Sequence, residues 1–196
     1  MMKVPAEYLE EMIRLLHEVR ITTESGGHQG YDAGIERIVE MLWQCRINRQ
    51  SVFFCGNGGS AGIAQHMTAD YMKNGGIRAH SLYEQATLTC ISNDYTYEAV
   101  FSKQLELLAS KGDLLVAISS SGESENIINA IRTMRMLGGV VITLTGFREN
   151  NRISMMGDVN IYVPKQHYGM VESIHNMLLQ QIVDIIVDRT SAEING

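Results

Sequence analysis

Two short loops concentrate the residues able to do chemistry. The first is Cys55-Gly56-Asn57-Gly58-Gly59-Ser60, directly after the apolar run SVFFC. Its glycines let the backbone turn tightly and approach a ligand closely. Ser60 then stands near a predicted helix N-terminus, where free N–H groups and the helix dipole favour an anion. A glycine turn after a strand also serves simply as a corner, and Ser60 as a plain N-cap. The second loop is Ser119-Ser120-Ser121-Gly122-Glu123-Ser124, directly after DLLVAI. Four hydroxyls and a glycine at a strand-to-helix junction suit a phosphate, because hydroxyls donate to its oxygens without a lysine. Neither loop is a Walker A sequence, which needs G-K-[ST], and neither has the G-x-G-x-x-G order of a dinucleotide fold. The alternative for the serine loop is a capped turn with surplus serines. The two loops, about sixty residues apart in one pattern, are more specific together than either alone.

The elements that must position these loops alternate. SVFFC, DLLVAIS, VVITLT and VNIYV are continuous apolar runs that predict buried strands, with AHSLY and TLTCI as further strand candidates. AGIAQHMTADYM, Tyr97 to Ser110, NIINAIRTMRML and a closing stretch from about Tyr168 to Asp188 predict helices. Strands alternating with helices imply a parallel sheet covered on both faces. The first fifty residues predict a helical arm: Leu9, Met12, Ile13, Leu16 and Val19, then Ile35, Ile38, Val39 and Leu42, recur at helical spacing around the break TTESGGHQG. Such an arm either covers its own sheet or packs against a partner subunit. No repeat or linker divides the 196 residues, so one domain spanning 1–196 is expected.

Composition narrows the function classes. The net charge is −6, and no basic run exceeds two residues, which argues against nucleic-acid binding. The cysteines, Cys45, Cys55 and Cys90, are odd in number and widely spaced, which excludes a disulfide framework or zinc knuckle. Cys55 and Cys90 are expected to be buried thiols. The acidic N-terminal stretch is not a signal peptide, and no segment is long enough to span a bilayer. Cytoplasmic residence and no membrane partner are the expectations.

CGNGGS, QH in the following helix, ISND at 91–94, ISSSGES, and VITLTG at 141–146 together resemble the sugar isomerase (SIS) domain family, and within it the phosphoheptose isomerases. The resemblance covers roughly residues 35–188. It implies an α/β three-layer sandwich with a five-stranded parallel sheet flanked by helices, and a homotetramer with active sites at subunit interfaces. It implies no organic cofactor, and some members hold a zinc ion. It also implies that Ser119, Ser120, Ser121 and Ser124 bind the substrate phosphate, while Asn57, Ser60 and Asp94 contact the sugar or shape the pocket.

Aldose–ketose isomerisation through an enediol needs a base beside the carbon-bound proton and an acid or base serving the oxygens. His66 and Asp70, four residues apart, share one face of a predicted helix. Asp70 stands where the family has a catalytic glutamate. In the closing helix Glu172 stands where the family commonly has glutamine, and Gln180 where it has a catalytic or metal-binding histidine. Asp70, Glu172 and His66 are therefore the candidate catalytic set, and the same three are the candidate zinc ligands. His175 ranks below Glu172. The loss of histidine at Gln180 also opens two other readings: a scaffold like the DnaA initiator-associating protein, a relative with a disabled site, or a phosphosugar sensor without turnover.

Overall fold

A computed structural model describes residues 4–24 and 26–195. Residues 1–3 of the expected arm, Ser25 in its break, and Gly196 at the end of the expected domain lie outside the described residues. The elements run α1 (Pro5–His17), β1 (Arg20–Thr23), β2 (His28–Gln29), α2 (Tyr31–Ile47), β3 (Ser51–Gly56), α3 (Gly59–Lys73), β4 (Arg78–Ser81) and α4 (Gln85–Asp94). A 3₁₀ turn (Tyr97–Ala99) leads to α5 (Ser102–Leu108), β5 (Leu114–Ser119), α6 (Glu125–Met136), β6 (Val140–Thr145), β7 (Val159–Tyr162) and α7 (Tyr168–Asn195).

The sheet has seven strands in the order β2-β1-β7-β6-β5-β3-β4. Strands β3 to β7 pair in parallel, which is the expected five-stranded parallel sheet. The expected count falls short by the β1–β2 hairpin, which adds antiparallel to β7. That hairpin sits inside the segment expected to be a helical arm with a simple break. Its strands are short and polar, and only Ile21 is buried.

Alternate residues of each central strand feed opposite cores. Val52 and Phe54 of β3 pack with α2, α3 and α7, while Phe53 and Cys55 pack with α5 and α6. Every residue of β3 and β5 is buried, which is why these strands are unbroken apolar runs rather than alternating ones. This three-layer arrangement agrees with the sequence-based expectation.

Two local expectations are corrected. TLTCI is not a strand: it lies within α4, whose N-cap Glu84 accepts the Thr87 N–H at 2.7 Å. No residue of α4 is buried, and Cys90, expected inside, is exposed. The threonines and isoleucine that favour a pleated surface are overruled by the cap and by the absence of a strand partner. The helix expected from Tyr97 to Ser110 is divided, the 3₁₀ turn coming before α5. Cys55 is buried as expected, and burial pushes its thiol pKa up. No helix among the described residues is long and apolar enough to cross a membrane.

Candidate functional site

Strand β3 hands its chain to α3 and then to β4, outward on one side. Strand β5 hands its chain to α6 and then to β6, outward on the other. The carboxyl ends of β3 and β5 therefore flank the point where the winding reverses, the place where open α/β sheets receive ligands. Both loops singled out by composition lie there. A pocket between them is lined by Asn57 and Ser60 from the first loop and by Ser119, Ser120, Ser121 and Ser124 from the second. Ile118, Tyr168 and Glu172 complete it.

The second loop is a built turn. The Gly122 N–H donates to Ser119 Oγ at 3.1 Å, and the Glu123 N–H to Ser121 Oγ at 3.3 Å. Gly122 has φ +68°, and a Cβ there would lie 2.0 Å from Asn151 Oδ1, so glycine is required twice over. Ser120 is buried, and its Oγ has no hydrogen-bond partner. A buried unpaired hydroxyl in a pocket wall is a site waiting for an acceptor or donor. Ser124 is the N-cap residue of α6 but its side chain makes no capping bond. Its hydroxyl and the α6 N-terminus are both open to an anion. None of the described lining residues is lysine or arginine, so hydroxyls and two helix N-termini are what the pocket offers an anion.

Glu172 projects from the first turns of α7 against the start of α3. Burial raises its carboxyl pKa above the usual carboxylate range, which moves it toward the range useful for proton transfer. One turn on, His175 is fully buried, its Nε2 donating to Thr145 O at 3.0 Å. Burial lowers its pKa to about 4, so it is neutral and structural here. Its Nδ1 has no partner.

The structure does not bring every expected residue into this pocket. His66 and Asp70 pair with each other at 3.6 Å on α3, with the His66 side chain more than half exposed. They do not line the pocket. Asp70 lies eleven residues along α3 from Gly59, about 16 Å at helical rise, whereas Glu172 sits against Gly59. Among the described residues, no group of three His, Cys, Asp or Glu side chains could hold a metal ion. The residues of one chain therefore do not fit the zinc set His66, Asp70 and Glu172, because α3 separates its members. Gln180 lies eight residues past Glu172, about 12 Å along α7, and donates to Asp184 Oδ1 at 2.9 Å. Asp94 is exposed at the end of α4, where it accepts from Asn93 at 2.9 Å and from the Cys90 thiol at 3.4 Å. These two bonds hold its pKa down. It too lies outside the lining.

Three polar residues of the site were not expected from sequence. Tyr168 lines the pocket. Asn126 and Tyr97 both bond the Asn57 amide. None of the three stands in a glycine- or serine-rich motif, and their partners are distant in the chain.

A SIS domain model matches residues 7–146. A phosphoheptose isomerase of Shewanella frigidimarina is 35% identical over 188 residues, covering 92% of this chain and 95% of the relative. This chain belongs to the phosphoheptose isomerase branch of the SIS-domain family. The phosphoheptose isomerase of Aliarcobacter butzleri is 39% identical over 163 residues, covering 80% and 86% of the two chains. Among solved structures, the phosphoheptose isomerase of Neisseria gonorrhoeae superposes with a TM-score of 0.80 at 34% identity, covering 92% of this chain and 96% of that one. That of Francisella tularensis gives 0.81 at 28% identity, covering 93% and 96%. The matched residues 7–146 include both loops, while Tyr168 and Glu172 of the pocket lie beyond them.

Proposed function

We propose that this phosphosugar isomerase interconverts sedoheptulose 7-phosphate, or a closely related ketose phosphate, with an aldose phosphate through an enediol. The carrying observation is the pocket itself: a cationless serine cradle for phosphate with one carboxylate, Glu172, of raised pKa in its wall. The names of the relatives at 34–39% identity support the same activity and do not favour the scaffold or sensor readings opened by Gln180.

In this reading the phosphate lies against Ser119, Ser120, Ser121 and Ser124. Glu172 takes the proton from the hydroxymethyl carbon beside the ketone and returns it to the former ketone carbon. A proton passes from one oxygen to the other, so the product is an isomer with no atom gained or lost. A base of raised pKa suits this task near neutral pH. His66 is more than half exposed and Asp70 pairs with it outside the pocket lining, so the two serve catalysis only in a pocket completed by a neighbouring subunit. We accordingly infer a homotetramer, in which Leu9 and Ile13 of α1, 65% and 57% exposed, are covered. The cytoplasm is the compartment this substrate class favours.

The test is incubation with sedoheptulose 7-phosphate in deuterium oxide. Deuterium at the carbon next to the carbonyl, with aldose phosphate formed, supports the reading. A folded protein that incorporates none from a panel of ketose phosphates overturns it. Light scattering checks the assembly, with four chains of 21.9 kDa expected and a stable monomer contradicting it.

A further inference from the structure

The amide of Asn57 is almost fully occupied by the protein. Its Oδ1 accepts from Asn126 Nδ2 at 2.9 Å and from the Tyr97 hydroxyl at 2.8 Å. Its Nδ2 donates to Asn126 Oδ1 at 2.9 Å. An amide offers two acceptor sites and two N–H donors. Both acceptor sites and one donor are taken, which leaves a single N–H. Asn57 lines the pocket, so that N–H is what it has to offer a ligand.

The two partners come from different places. Asn126 belongs to the first turn of α6 and is 2% exposed. Tyr97 comes from the 3₁₀ turn after α4 and is more than half exposed. On the other side of α4, the Tyr83 hydroxyl lies 2.6 Å from both N and O of Gly56, the residue before Asn57. Loop one is thus gripped from α6 and from both flanks of α4.

We propose that Tyr97 and Asn126 are positioning residues that fix the orientation of the Asn57 amide, so that its remaining N–H meets the carbonyl oxygen of the sugar. This rests on the reading that the ligand is a ketose phosphate. Negative charge develops on that oxygen as the neighbouring C–H proton leaves, and a preset N–H stabilises it. An amide turned the other way presents an oxygen to an oxygen and opposes the same step. Asn126 supplies one donor to Asn57 Oδ1, and Tyr97 supplies the second, which keeps that oxygen turned toward the protein.

Kinetics and melting of two variants separate orientation from folding. Tyr97→Phe removes one hydroxyl from a half-exposed ring, so thermal stability should be unchanged. Turnover of sedoheptulose 7-phosphate should fall about tenfold in kcat, the share of one oriented hydrogen bond. Affinity for glucitol 6-phosphate, which has phosphate and hydroxyls but no carbonyl, should change less than twofold by calorimetry. Asn126→Asp, which sets a carboxylate oxygen against Asn57 Oδ1, should reproduce this split more strongly. In an Asn57→Ala background, Tyr97→Phe should have no further effect, because Tyr97 acts through Asn57.

Full kcat in Tyr97→Phe overturns the proposal, as does equal loss for both ligands or an additive loss in the double variant. A parent protein that binds the ketose phosphate without converting it refutes the isomerase reading alone. The amide is then judged on affinity, where Tyr97→Phe must weaken the ketose phosphate about tenfold relative to glucitol 6-phosphate. A parent that binds neither ligand overturns both.

Discussion

A Cβ on Gly59 would lie 2.2 Å from Glu172 Oε2 and 2.6 Å from its Cδ. The start of α3 and the carboxylate of α7 occupy adjoining space, and glycine is what lets them. Gly59→Ala should therefore push the carboxylate aside without unfolding the chain. The side chain is flexible, and alanine favours a helix over glycine by about 1 kcal/mol, which offsets the rotamer strain of about 1 kcal/mol. Turnover should drop by roughly 100-fold, as expected for a catalytic group displaced by about 1 Å. Steady-state kinetics beside a thermal melt would check this, and unchanged kcat would remove Glu172 from the proposed role.

The pH dependence follows from the same carboxyl. As a base Glu172 must be ionised, and burial holds its pKa above the usual carboxylate range. Activity should therefore rise with pH through that raised pKa. A phosphate bound nearby pushes it further in the same direction. Glu172→Gln should abolish the rising limb together with most of the turnover, while binding of glucitol 6-phosphate persists. A pH–rate profile whose acid limb survives in that variant would assign the limb to another group.

His175 sets a second pH dependence, on stability. Its pKa falls from 6.5 to about 4 on folding, so the unfolded chain binds the extra proton between those values. Stability therefore rises with pH across that window and is lost as pH falls through it, by up to about 3 kcal/mol for the full shift. His175→Gln can keep a hydrogen bond to Thr145 O but cannot titrate. Urea unfolding at several pH values between 4 and 7 should show a shallower slope for the variant. Parallel slopes would contradict a neutral buried imidazole.

The phosphate cradle is tested by replacing Ser121 and Ser124 together with alanine. Each hydroxyl should lose a charge-assisted hydrogen bond worth about 1.5–3 kcal/mol. Affinity for glucitol 6-phosphate should fall by at least about 100-fold. Equal affinity in a folded double variant would place the phosphate elsewhere.

Much of this was legible in sequence, for identifiable reasons. Strands buried on both faces, such as Leu114–Ser119, must be continuous apolar runs, and their Gly- and Ser-rich exits line the switch-point pocket. Glu172 was singled out only through the family resemblance, as a carboxylate where relatives commonly have glutamine; its place in the pocket wall is a tertiary fact. The polar hairpin Arg20–Thr23 and His28–Gln29 was hidden because an edge ribbon with one buried residue has almost no hydrophobic pattern. TLTCI misled because α4 only half-buries its apolar side chains, Leu88 and Ile91 against one core, so its composition has no clear helical or strand period. The spacing of His66 and Asp70 correctly put them on one face, but spacing along α3 cannot say which end of that face meets the pocket. Tyr97 and Asn126 reach Asn57 only through tertiary contacts.

The reversal of winding between β3 and β5 has an evolutionary consequence. The serine cradle runs into α6, seated on one core, whereas Glu172 and Ser60 belong to helices seated on the other. The two halves of the site are thus upholstered separately, with the sheet as a stiff board between them. Under the proposed function, mutations that repack the outer part of the α3–α7 layer reshape the space around the sugar, while Ser121 and Ser124 keep the support of the α6 core. A lineage with this architecture can change its substrate's carbon skeleton and keep its hold on the phosphate.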